Sequence, residues 1–340
     1  MQKLICSASP HVRAKNSTRS IMIDVCIALA PAVVASIIYF GLKSVAILLL
    51  SVIGAFLGEM IFKMVEKKKF NTFVKEFDFT TIVTGLLLGL NMPPFSIANG
   101  WYIPLLSGLF AIIVVKMLFG GTGYNFVNPA IAGRVFALIS FTLIMTQSYV
   151  LPNIAPLNGY GDISTGATAL TGMLTGTAGS GTAFNMGLTN LDLFLGTGVA
   201  GSIGETSKLA ILIGGLYLFI KRVVDFRFPL IYIVVTGLCT VAFNGFNIYY
   251  FLPSILSGGL FLGAIFMATD YVTSPNSFVG NLIYFTLLGF VTALLRQACK
   301  MEVVSFVILL MNLIVPLINR YIYPRPFGYV KQKKTKKEVA

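Results

Sequence analysis

Charge is scarce in this chain. Only 11% of its 340 residues are charged, against roughly 25% in a soluble domain, and that scarcity excludes an ordinary water-facing fold. Histidine is scarcer still: His11 stands alone, in the polar N-terminal arm. Neither a Ser-His-Asp arrangement nor a histidine-rich metal site can be assembled from it, which argues against hydrolytic chemistry. The four cysteines, Cys6, Cys26, Cys239 and Cys299, include no Cys-x-x-Cys pair. Zinc and iron–sulfur sites need clustered thiolates, so buried, inert cysteine is the reading for this chain taken alone, with a cluster shared with another subunit left open. Gly120-Gly121-Thr122-Gly123 is glycine-rich, but no Gly-Lys-Thr/Ser follows, so it is not a nucleotide-binding P-loop. Lys and Arg are missing altogether between Arg134 and Lys208.

What is present is apolar. Hydrophobic residues make up 56% of the chain and the mean hydropathy is +0.85. They come in blocks such as Ile21–Phe40, Val45–Phe62, Trp101–Val115 and Val303–Ile318, close to the roughly 20 residues a helix needs to cross hydrocarbon. The short alternating segments of a transmembrane barrel are not seen. No cleavable signal peptide is expected, because the first twenty residues are polar and basic and the first apolar block is as long as a full span. The predicted architecture is all-α and polytopic, with about ten spans at 21–40, 45–65, 79–91, 101–118, 130–149, 207–220, 228–245, 252–268, 279–295 and 303–319.

Basic residues set the expected orientation. They cluster in 1–20, 63–75, 221–227 and 320–337. With an even number of spans all four clusters fall on one side, the cytoplasmic one, and Lys43, Arg296 and Lys300 are the exceptions. The formal net charge of +13 then reflects loops held at that face rather than nucleic-acid binding, and the basic tail reads as a lipid-facing arm. Thr84-Gly85-Leu86-Leu87 opens a short apolar run that stops at Pro93-Pro94; Ser257-Gly258-Gly259-Leu260 opens another that passes Asp270 and stops at Ser274-Pro275. Paired, Gly/Pro-broken helices in matching places point to an inverted repeat with a midplane site; glycine that merely lets helices pack closely is the alternative. The organisation is then a cytoplasmic arm (1–20), a first five-helix repeat (21–149), an outer loop (150–206), a second, inverted five-helix repeat (207–320) and a basic cytoplasmic tail (321–340).

Acids near apolar blocks are costly unless paired or functional. Asp24, Glu59, Glu205 and Asp270 qualify. Asp270, Glu205 and Glu59 are the candidates for an ion path, and pairing with Arg134, Lys208 or a helix N-terminus is the competing role. Arg134 itself is expected either to face a bound phosphate or to snorkel.

Asp162-Ile163-Ser164-Thr165-Gly166-Ala167-Thr168 lies in the outer loop. Read physically, it is a stretch of small residues ending in a hydroxyl that a modifying enzyme can reach; composition alone favours a plain Gly/Thr loop. The pattern Asp-x-x-(Ser/Thr)-Gly-Ala-Thr resembles the flavinylation motif of the NqrB/RnfD family. Further segments resemble the same family in the same order: Ser9-Pro10-His11, the run from Gly120 through Asn125-Phe126-Val127-Asn128-Pro129 to Ala130, Gly204-Glu205-Thr206-Ser207, Met267-Ala268-Thr269-Asp270, and Tyr323-Pro324-Arg325-Pro326-Phe327-Gly328. The likeness covers nearly the whole chain. The short arm before Ser9 is more similar to the RnfD branch.

The resemblance implies covalent FMN, joined by a phosphoester to Thr168, with Asp162, Thr165, Gly166 and Ala167 as the attachment motif. It also implies a noncovalent riboflavin nearer the cytoplasmic face, with Asn125 and Asn128 at its ring; the alternative for Asn128-Pro129 is a helix start. It implies a fold similar to the ammonium and urea channels, and a role in the Rnf complex, which moves electrons between ferredoxin and NAD and couples them to Na⁺ or H⁺ transport. The implied partners are the other membrane and peripheral subunits of such a complex, an FMN transferase as modifying enzyme, and membrane lipid. The implied location is a bacterial or archaeal cytoplasmic membrane with both termini on the cytoplasmic side. The competing functional reading is a passive channel or secondary transporter for a small solute; a third is a structural subunit with a vestigial flavin site.

Overall fold

A computed structural model describes residues 17–66, 77–95, 97–152, 170 and 189–322. The attachment motif Asp162–Thr168, the arm through residue 16 and the tail from residue 323 lie outside the described residues. Every regular element among the described residues is helical.

The helices begin where the sequence supplies caps. In α1 (Thr18–Phe40), Ser17 and Ser20 form a reciprocal capping box, each hydroxyl accepting from the other's backbone N–H. After α2 (Leu42–Val65) and α3 (Thr80–Leu90) comes α4, which starts at Tyr102 and widens into a π-helical stretch over Ala111–Met117. In α5 (Pro129–Ser140), Asn128 Oδ1 accepts from Ala130 N at 3.0 Å and Pro129 takes the first turn, where its missing N–H costs nothing. The predicted fifth span runs to 149, but α5 stops at Ser140, where Phe141 leaves helical geometry, and a separate turn covers Thr142–Gln147. Ser207 caps α6 (Lys208–Ile220), and α7 (Arg227–Phe243) follows. α8 is broken: Ile248–Leu256 and Leu260–Met267 meet at 67°, with Gly258 at φ +67 in the joint. α9 (Phe278–Cys299) and α10 (Val304–Tyr321) complete the chain.

By length and composition α1, α2, α9 and α10 can each cross a membrane, and the bent α8 pair makes a fifth. α3, α4, α5, α6 and α7 are apolar but shorter, at 10–17 residues. Large apolar side chains face outward, Ile23, Ile27, Val34 and Ile38 on α1 and Val279, Leu282, Phe290 and Leu294 on α9. Such faces fit lipid and not water. Because lipid is as apolar as leucine, helices associate here by close backbone approach. On α2, Gly54 abuts the Leu105 carbonyl of α4, and a Cβ on Gly108 would lie 2.7 Å from Ala55 N and Ser51 O. The chain is therefore an all-helical membrane protein with an interior built from both halves.

Candidate functional site

A cavity, open at one side, lies at the end of the molecule where α1 and α3 begin and α4 and α6 end. Both halves of the chain line it. Its walls are apolar on α1, α3 and α8, from Met22, Val25, Val83, Leu87, Ile265 and Phe266. Its polar rim comes from Thr80, Lys116, Thr122, Asn125, Asn128, Thr269 and Asp270. Asn125, Asn128 and Asp270, far apart in sequence, thus meet at one cavity.

Each rim residue has a definite role. Asn128 does what a helix start requires, and its Nδ2 also donates to Met267 O at 3.2 Å, tying α5 to the end of α8. Asn125 donates to Val127 O at 3.1 Å, which leaves its Oδ1 as an acceptor. Asp270 sits in the connection after α8 and accepts from Val272 N and Thr273 Oγ1. Burial pushes its carboxyl above the usual range, and those two hydrogen bonds oppose the rise. For Asp78, ahead of α3, burial also works upward, but bonds from Thr80 and Thr122 and the charge of Lys116 outweigh it and hold the carboxyl below the usual value.

Behind the rim lies a buried charge network that the sequence pattern did not single out. Lys116 donates to Thr80 Oγ1 at 2.5 Å and Thr81 Oγ1 at 3.1 Å, and stands 3.9 Å from Glu59. Glu59 also pairs with Lys63 at 2.7 Å and accepts from the Thr81 hydroxyl. Glu59 therefore reaches the cavity only through Lys116, and its partners are lysines of α2 and α4 rather than Arg134 or Lys208. The available signal was a lone cation inside the apolar run 109–119, which is costly in lipid without partners. Asp24 pairs with Tyr217 and Lys221 on α6.

Arg134 neither snorkels nor reaches the cavity rim. It is buried and donates to Asn91 Oδ1 at 2.5 Å, while Asn91 Nδ2 holds Leu87 O and contacts Met267 Sδ at 3.3 Å. That knot joins α3, α5 and α8 mid-molecule. Glu205 lies at the end opposite the cavity, buried, with Oε1 accepting from Ser202 N at 2.8 Å. Arg296 and Glu302, also at that end, form a buried pair at 3.2 Å. Sequence reasoning took Arg296 only as a break in the charge pattern.

The donor set decides what the cavity can hold. Flat apolar walls with amide, hydroxyl and carboxylate groups at one edge suit an amphipathic ring bearing polar substituents. The lining includes one cation, Lys116, already bonded to two threonines, and it includes a carboxylate. A phosphate finds no free cationic partner among these residues. The residues fit a phosphate-free flavin.

The fold and this site define a helical membrane protein with a polar-rimmed, apolar-walled cavity between its halves. The family model described as the NQR2, RnfD, RnfE family matches residues 5–328, and the chain belongs to that family. It is 40% identical, over 98% of both chains, to the D subunit of the Na⁺-translocating ferredoxin:NAD⁺ oxidoreductase complex of Acetobacterium woodii. It is 34% identical, over 95% of both chains, to the D subunit of the proton-translocating ferredoxin:NAD⁺ oxidoreductase complex of Clostridium ljungdahlii. A third relative, the D subunit of the ion-translocating oxidoreductase complex of Escherichia coli, is 31% identical over 96% of this chain and 98% of its own.

Proposed function

We propose that this chain is the RnfD component of an Rnf-type complex: a flavin-carrying membrane protein through which electrons pass between ferredoxin and NAD while Na⁺ or H⁺ is moved. The likeness to relatives of that kind over nearly the whole of each chain supports the complex and its other subunits as partners. The observation that carries the flavin reading is the cavity, with Asn125, Asn128, Thr269 and Asp270 at its polar edge, apolar walls and, among the described residues, no free cation for a phosphate. Riboflavin is the ligand proposed for it. A bound flavin supplies electron-transfer chemistry. The chain's residues do the rest: Asn125 Oδ1 accepts from the ring edge, Asp270 and Thr269 accept from side-chain hydroxyls, and Val83, Leu87 and Phe266 exclude water from the ring face.

FMN is proposed on Thr168, with Asp162, Thr165, Gly166 and Ala167 recognised by an FMN transferase. Ten crossings in two inverted repeats, similar to the ammonium and urea channels, are proposed for the fold. The matching of each expected span by an apolar helix supports that count. The basic clusters support a cytoplasmic-membrane location with both termini and the cavity on the cytoplasmic side.

Two readouts from one preparation test the reading. The chain is co-produced with an FMN transferase, run on a denaturing gel and viewed under ultraviolet light beside Thr168→Val. Flavin released by acid is identified by mass. The expected result is fluorescence lost in the variant, and riboflavin in the extract of both. A dark band from full-length, membrane-inserted wild type overturns the Thr168 assignment. An extract with FMN or no flavin overturns the cavity assignment.

A further inference from the structure

The end of the molecule opposite the cavity holds a second buried polar cluster, built where α3 ends and α8 is broken. α3 stops before Pro93-Pro94, and its last carbonyls are taken up by the loop ahead of α6: Gly204 N donates to Leu90 O at 2.7 Å and Ile203 N to Met92 O at 2.9 Å. The next residue of that loop is Glu205. Its carboxylate points at the break of α8, where a Cβ on Gly259 would lie 2.6 Å from Oε2. The Glu302 carboxylate abuts the neighbouring Gly258. One loop therefore ties the end of α3 to the break of α8 and places an acid between them.

Among the described residues the charges balance in number, Lys208 and Arg296 against Glu205 and Glu302, but only Glu302 has a direct ion pair, Lys208 acting on Glu205 through space. Arg296 compensates Glu302 at 3.2 Å and also holds Ser254 O at 2.9 Å and Ser257 O at 3.3 Å. Lys208 donates to the backbone carbonyl of Glu205 and not to its carboxylate. Tyr149 is within electrostatic reach of both acids and is itself hydrogen-bonded with Arg134. Glu205 Oε1 has the Ser202 amide, but Oε2 has no hydrogen-bond partner. Ser202 Oγ and Ser257 Oγ, both on fully buried residues, have none either, nor has Arg296 Nε. A buried carboxylate oxygen without a donor costs free energy until it gains a proton or a cation. Hydroxyl and carboxylate oxygens are the ligands a hard cation takes. The carboxylate disfavours an anion, and Lys208 and Arg296 disfavour a divalent ion.

We propose that Glu205 Oε2, with Ser202 Oγ and Ser257 Oγ, binds one small monovalent cation, a proton or a sodium ion, between the end of α3 and the break of α8. As a station on an ion path it rests on the function proposed above; as a binding site it does not. It needs no flavin, so it is tested on full-length chain made without the transferase and reconstituted in lipid. Infrared difference spectra are recorded while Na⁺ is exchanged for K⁺ at fixed pH, and then while pH is stepped without Na⁺. A carboxylate band that responds to Na⁺, absent in Glu205→Gln and kept in Glu59→Gln, identifies sodium. A protonated-carboxyl band that responds only to pH, with the same pattern in the variants, identifies the proton. Ser257→Ala removes one oxygen without removing charge and shifts the midpoint of the responding titration about five- to tenfold. Spectra of folded wild type and Glu205→Gln that superpose in both titrations overturn the proposal. So does an unshifted midpoint in Ser257→Ala.

Discussion

Removing the Glu59 carboxylate tests whether the network behind the cavity is held by charge balance. Glu59 and Lys116 are each 3% exposed and Lys63 is 8% exposed. Two ammonium groups, at 2.7 and 3.9 Å, and the Thr81 hydroxyl converge on this one carboxylate, and Asp78 supplies a second negative charge to Lys116. Among the described residues two acids, Glu59 and Asp78, thus face two lysines. Taking away Glu59 removes the carboxylate that both ammonium groups share, and breaking a buried pair from one side costs about 3–5 kcal/mol. Glu59→Ala carries that loss together with a small void. Glu59→Gln keeps the volume and an acceptor for Thr81, so its loss is smaller. Glu59→Gln combined with Lys116→Met restores neutrality and recovers at least half of what the single change loses. A thiol-reactive dye followed on heating in detergent reads unfolding through the half-buried Cys26 in α1 and Cys239 in α7. A Glu59→Ala midpoint within about 0.5 kcal/mol of wild type refutes the reasoning, as does a double variant no better than Glu59→Gln.

The other two predictions concern packing and acid. Gly108→Ala puts a Cβ 2.7 Å from the backbone of α2 at Ala55 N and Ser51 O, contacts that neither helix can relieve by moving a side chain; a loss of about 1–3 kcal/mol is expected, read as a lower yield of monodisperse protein after heating. Asp78 is held below the ordinary carboxylate range. Its contribution is therefore present above the unfolded-state value and lost as pH falls through the lower folded-state value. Asp78→Asn is expected to flatten that part of the acid limb of a stability profile, and an unchanged limb counts against the assignment.

The helical architecture was legible because span-forming blocks and caps are local signals: Ser17, Asn128-Pro129, Ser207 and Ser277 each sit just ahead of a helix. The break in α8 was legible too, since Ser257-Gly258-Gly259 interrupts an apolar run. The early stop of α5 was not, because nothing in Ser140-Phe141-Thr142 is a helix breaker and the change of direction comes from what surrounds Phe141. Asn125, Asn128 and Asp270 were each named from motifs, but their meeting at one cavity depends on α3, α5 and α8 being knotted at Asn91, Arg134 and Met267, contacts between residues up to 176 apart. Lys116 and Arg296 were passed over for a related reason. A single cation in an apolar run carries no information about its partners, which lie on other helices.

The π-helical stretches of α4 and α8 have a consequence for how this chain can vary in length. Each closes a wide turn through an i→i+5 bond, Leu118 N to Ile113 O and Ala268 N to Gly263 O, and so holds one residue more than an α-turn does. Deleting a residue there returns the turn to α geometry without rotating the rest of the helix against its neighbours. Elsewhere in α4 or α8 the same deletion would swing every following side chain to another face. Both wide turns border the cavity, at Lys116 and at Ile265-Phe266. The wall of the cavity can thus gain or lose a residue while the lipid-facing remainder keeps its register.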